Sequence, residues 1–151
     1  MHRRIETLLG NLHDFPVGAR IVERLPVSSS AMTHRLLRLP SSIGDLGLML
    51  DGGLRVRDGD VLVADETRVI ALEVLPDDVL VAYPDSIAQA VEIAHALGNR
   101  HIPVIREGDA IVVAYAAPLE ELLARSGVRY ERAARVMERP FVHAYAPHTH
   151  G

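Results

Sequence analysis

The chain has 151 residues, 48% of them apolar, enough to pack one domain or two small ones around hydrophobic cores. A net charge of −4 provides no basic field for a nucleic-acid partner, and the longest uncharged apolar run, near Ala110 to Leu119, falls short of the roughly 20 residues a bilayer span needs, so no membrane partner is expected. There is no cysteine and all 16 basic residues are Arg, which excludes disulfides, thiolate ligands, a Walker-type phosphate loop and a Schiff-base lysine.

The opening segment, Met1-His2-Arg3-Arg4-Ile5-Glu6, has no signal-peptide apolar core and points to a cytoplasmic protein. The first half then reads as β-structure, in short runs over Arg20 to Leu25, Thr33 to Leu39, Gly47 to Leu50, Asp60 to Ala64 and Arg68 to Val74. Asp51-Gly52-Gly53 and Asp58-Gly59 supply turn positions, and Asp65-Glu66-Thr67 is short enough to join two antiparallel strands. Pro76-Asp77-Asp78 breaks this pattern, and a domain boundary is expected near Leu75.

Beyond it, Val79 to Tyr83 is a short apolar strand. Ser86 and Gln89 have capping-box spacing at the start of a helix whose buried stripe is Ile87, Ala90, Val91, Ala94 and Leu97, with Gly98 as its terminating C′ glycine. His101 to Arg106 and Ala110 to Ala114 form two strands joined through Glu107-Gly108-Asp109. Pro118, Glu120, Glu121, Arg125 and Gly127 mark a second helix, and a last strand runs from about Val128 to Val136, burying Val128, Tyr130 and Ala134. The order β-α-β-β-α-β is the split βαβ of ferredoxin-like domains. The expected fold class is therefore α+β: a β-rich N-terminal domain over residues 1–75, a ferredoxin-like domain over 76–140, and a mobile His-containing tail over 141–151.

In that topology the second strand lies at a sheet edge, in keeping with Pro103, which cannot donate to a ladder. His101 then sits at the rim of an exposed edge. A lone histidine there is ordinarily a surface or hydrogen-bonded residue. The chain also carries His143, His148 and His150, the last two in a His-x-His arrangement able to chelate one ion from an extended segment. One edge histidine is too few ligands, and a C2 dimer repairs this by bringing His101 of both copies to the axis, with tail histidines completing the coordination. Imidazole suits nickel, copper(II) and zinc alike, and its ligation weakens as pH falls through the histidine range.

Leu97-Gly98-Asn99-Arg100-His101 followed by Pro103, after an Ile/Ala-rich helix and before a His-bearing C-terminus, resembles the urease accessory protein E family of nickel metallochaperones. Arg57-Asp58-Gly59-Asp60-Val61-Leu62 is similar to that family's N-terminal domain, so the resemblance covers nearly the whole chain. It implies a nonenzymatic homodimer that holds Ni(II) through His101 of both subunits and passes it to the urease apoprotein complex through a GTPase partner. It also implies a peptide- or partner-binding role for the N-terminal domain. Some members carry His-x-His before the second helix, where this chain has Tyr115-Ala116-Ala117.

Two other function classes compete. In one, the chain is a protein-interaction module of the urease assembly complex and metal binding is incidental. In the other, a metal-dependent hydrolase, Glu107 is the only carboxylate near His101 in the pattern. His95 falls off the apolar stripe and reads as a surface residue, His2, His13 and His34 lack mutual metal spacing, and Asp77, Asp78 and Asp85 read as loop and cap.

Overall fold

A computed structural model describes residues 3–50, 55–137 and 140–141. Among these the chain divides into two compact units, one of residues up to Pro76 with Val136, Met137 and Pro140, the other of Asp77–Arg135 with Phe141. No helix among the described residues is long and apolar enough to cross a membrane.

The first unit contains β1 (Arg3–Ile5), β2 (Gly10–Asn11), β3 (Ile21–Val27), a 3-10 turn (Ser30–Thr33), β4 (Leu36–Leu39), β5 (Leu46–Met49), β6 (Asp60–Ala64) and β7 (Arg68–Val74). They form a three-stranded sheet, β1-β5-β4, and a four-stranded sheet, β2-β6-β7-β3. Period-two alternation turns Leu37 and Leu39 of β4, Leu46 and Leu48 of β5, and Leu25 and Val27 of β3 into one core shared with Ile70 and Leu72. Val61, Val69 and Ala71 face a smaller cluster with Leu12 and Phe15, so β6 and β7 are buried on both faces.

The acidic residues of this unit serve the backbone. Asp65 Oδ1 accepts the Thr67 and Arg68 amides at 2.8 Å each, closing the β6–β7 turn, and these bonds hold its carboxyl below the usual range. Asp60, buried, accepts the Arg57 amide at 2.6 Å and Asn11 Nδ2 at 3.0 Å, while Asp58 accepts the Val74 amide at 2.8 Å. The Arg57-Asp58-Gly59-Asp60 motif is thus a turn, with Gly59 at φ +82°.

Two readings of this half change. The strand expected over Thr33 to Leu39 begins only at Leu36, because Thr33 Oγ1 donates to Ser30 O at 2.7 Å and the His34 amide to Ala31 O, a local turn that competes with the ladder. Strands β1 and β2, three and two residues long, carry too little alternation to be read from sequence. Asp51-Gly52-Gly53 lies outside the described residues.

The second unit runs β8 (Asp77–Tyr83), α1 (Ile87–Asn99), β9 (Ile105–Glu107), β10 (Ala110–Ala114), α2 (Ala117–Ser126) and β11 (Arg129–Arg135). Sheet order is β11-β8-β10-β9 with every neighbouring pair antiparallel, the interleaved split βαβ of a ferredoxin-like domain, and β9 lies at an edge. Leu80, Ala82, Ile111 and Val113 of the sheet pack with Ile93 and Leu97 of α1 and Leu119 and Leu123 of α2. Pro76-Asp77-Asp78 does not interrupt the chain as a loop: Asp77 and Asp78 already pair with Arg135 and Ala134 of β11. Ala134, expected inside, is exposed, since at this edge of the sheet the half-buried positions are Tyr130, Ala133 and Arg135.

Candidate metal centre at the end of helix α1

Helix α1 starts as its sequence dictates. Ser86 Oγ accepts the Gln89 amide at 3.1 Å and Gln89 Oε1 accepts the Asp85 amide at 2.9 Å, satisfying donors that the first turn leaves free. Its far end departs from expectation. Gly98 does not terminate the helix, which continues through Asn99 to an Arg100 cap, and the left-handed residue is His101, at φ +56°.

The reason lies in two apolar residues five apart. Leu97 is fully buried and Ile102 packs on the same core. The Ile102 amide donates to Leu97 O at 3.1 Å and the His101 amide to Gly98 O at 3.0 Å, the bond pair of a Schellman motif with its hydrophobic contact. Seating both side chains in one core places the reversal at His101 rather than at Gly98. A residue with a Cβ there costs roughly 1 kcal/mol or more, a conformation most helices give to glycine. His101 and Pro103 therefore precede β9, which begins only at Ile105.

The arrangement leaves an exposed imidazole at the C-terminal end of a 13-residue helix. The helix dipole favours a cation at such an end. Among the described residues no three His, Asp or Glu side chains converge to hold a metal, so within one copy His101 offers one ligand. His143, His148 and His150 lie outside the described residues, as does His2. His95 is exposed and its Nε2 accepts from Asn99 Nδ2 at 3.1 Å, while His34 Nδ1 is bonded to Ala31 O at 3.0 Å. His13 is exposed in the first unit.

Several carboxylates of the second unit are engaged by arginine or tyrosine. Glu107 pairs with Arg135 at 2.5 Å, which occupies the one acid the hydrolase reading had at hand. Asp78 takes two hydrogen bonds from Arg132, at 2.8 and 3.0 Å, and its carboxyl is held below the usual range by them. Glu131 accepts from the Tyr83 hydroxyl at 2.6 Å and pushes that phenol up. Tyr115 lies under the Arg132 guanidinium, 3.6 Å from its ring centre.

A second feature of α1 was missed by periodicity. Its buried residues are Ile93 and Leu97, whereas Ile87 is 85% and Val91 61% exposed, and Ala94 is exposed too. With Val104, 38% exposed, they line an open groove of about 600 Å³, with Arg106 and Asp109 on its rim. The stripe expected over Ile87, Ala90, Val91, Ala94 and Leu97 leaves out Ile93, which is buried; the apolar row that faces the core is 90, 93 and 97, and the row 87, 91 and 94 beside it stays outside.

Residues 5–75 match the family model described as UreE urease accessory protein, N-terminal domain, and residues 77–151 the corresponding C-terminal domain model. Similar full-length relatives include the urease accessory protein UreE of Corynebacterium efficiens, 40% identical over 149 residues, covering 97% of this chain and 99% of that one. The proteins of the same name from Bacillus cereus and Geobacillus kaustophilus are 35% and 37% identical, over 96% and 92% of this chain and 97% and 95% of theirs.

Proposed function

This chain belongs to the UreE family of urease accessory proteins, and from that premise we propose that it is a nickel carrier of urease maturation, with Ni(II) held between the His101 imidazoles of two copies. It is an accessory protein and not an enzyme. The observation that carries the nickel reading is the exposed His101 fixed in a left-handed turn at the negative end of α1. An isologous homodimer supplies the second imidazole, and the exposed row Ile87, Val91 and Ala94 with Val104 is an apolar surface suited to that contact. His143, His148 and His150 are the further ligands, from a segment able to let go of its cargo. The carrier works in the cytoplasm and hands Ni(II) to the urease apoprotein complex through its GTPase. Zn(II) and Cu(II) bind the same imidazoles in vitro.

Titration of Ni(II) into the full chain tests this. Tight binding should fall at least about tenfold in His101→Ala, equivalent to about 1.4 kcal/mol. A chain ending after Phe141 should bind more weakly yet remain dimeric. Unchanged affinity and stoichiometry in His101→Ala would contradict the carrier reading. Full urease activation by that variant at limiting nickel would favour the interaction-module reading instead.

A further inference from the structure

We infer that Ile102 is a positioning residue for the His101 imidazole, acting through the backbone turn and not through contact with metal. The inference rests on the reading of His101 as a nickel ligand. His101 occupies a left-handed conformation that is uncommon for a residue with a Cβ and carries a steric cost. Two hydrogen bonds define the turn, and the one from the Ile102 amide to Leu97 O forms only while residue 102 lies back against the helix. What keeps it there is the Ile102 side chain, half-buried on the core that includes Leu97, followed by Pro103, whose ring restricts the backbone of residue 102 to extended conformations. Arg100, His101 and Val104 are exposed and Pro103 is half-buried, and Ile102 packs on the core of this unit as the apolar anchor of the connection.

The consequence is quantitative. A ligand histidine that is correctly aimed only part of the time binds with an affinity reduced by that fraction. If truncation of Ile102 lowers the fraction of dimers with both His101 residues left-handed to about one fifth, nickel affinity falls about fivefold although no ligand has been removed. A purely structural Ile102 would lower the melting temperature and leave the affinity of the folded protein unchanged.

The test titrates Ni(II) into the full-length protein at a temperature where each variant is folded. Ile102→Ala should weaken binding about fivefold, Ile102→Val by a smaller factor, and Ile102→Leu, which keeps the volume, should restore parental affinity. His101→Ala serves as the reference for loss of the ligand itself. If His101→Ala loses binding while folded Ile102→Ala keeps parental affinity, the positioning role is overturned and the nickel reading stands. If His101→Ala binds as the parent does, both fall. Should Ile102→Ala not fold, the order Leu, Val decides: equal affinities for Val, Leu and parent overturn the inference, and a weakened Val with a restored Leu supports it.

Discussion

Both helices of the second unit end on a left-handed residue, but α2 closes on Gly127, at φ +75°, and α1 on His101, at φ +56°. Glycine takes that conformation without a steric cost, so the end of α2 follows folding stability alone. Histidine takes it at a cost, held by Leu97 and Ile102 packing on one core. One cap is what a fold needs. The other gives up stability, and on the proposed reading it does so to present an imidazole to metal, since backbone strain clusters at working sites.

The strongest way to break the contrast is to remove the core that imposes it. Leu97→Ala, at a fully buried position, should cost 2–5 kcal/mol in denaturant unfolding of the second unit, and a loss below about 1 kcal/mol would mean that Leu97 does not anchor the turn. Alanine at each cap sharpens the comparison. Gly127→Ala should cost about 1–2 kcal/mol, whereas His101→Ala should stay within about 0.5 kcal/mol, because the strain is already present there. Equal costs at the two caps would show that His101 is not strained.

Gly98 gives a smaller effect of opposite sign. It lies inside α1 with nothing within 4 Å of where a Cβ would stand, so Gly98→Ala should stabilise by up to about 1 kcal/mol. A clear destabilisation in thermal unfolding would return Gly98 to the terminating role that its sequence position suggested. Smallest is the acid limb away from the caps. The Arg132 hydrogen bonds hold the Asp78 carboxyl below its ordinary value, so its contribution is full above the usual carboxylate range and is lost as pH falls through the lowered value. Asp78→Asn should slightly flatten the acid side of the stability profile, and an unchanged profile would remove the Asp78 contribution.

How far the sequence was legible follows from what each pattern measures. Period-two alternation and turn residues located β6, β7, β8 and β10 within a residue or two, and the element order led to the ferredoxin-like topology. Ser86 and Gln89 marked the start of α1, because capping is decided by neighbours in sequence. Its end was misjudged for the opposite reason: which residue turns left-handed depends on where Leu97 and Ile102 meet the core, a tertiary fact that outweighs the local preference of Gly98. The misplaced stripe of α1, which included Ile87 and Val91 and left out Ile93, has the same origin, since composition shows that these residues are apolar but not which of them stay outside. His101 itself was readable as a candidate from the motif, while its strained backbone was not.

The central claim is that His101 is kept for metal at the expense of stability, and His101→Gly puts both halves to one measurement. Thermal unfolding of the metal-free variant, followed by nickel titration of the same sample, should show a melting temperature higher by roughly 4 °C and nickel affinity reduced at least about tenfold. A variant no more stable than the parent, or one that binds nickel equally well, would contradict the account.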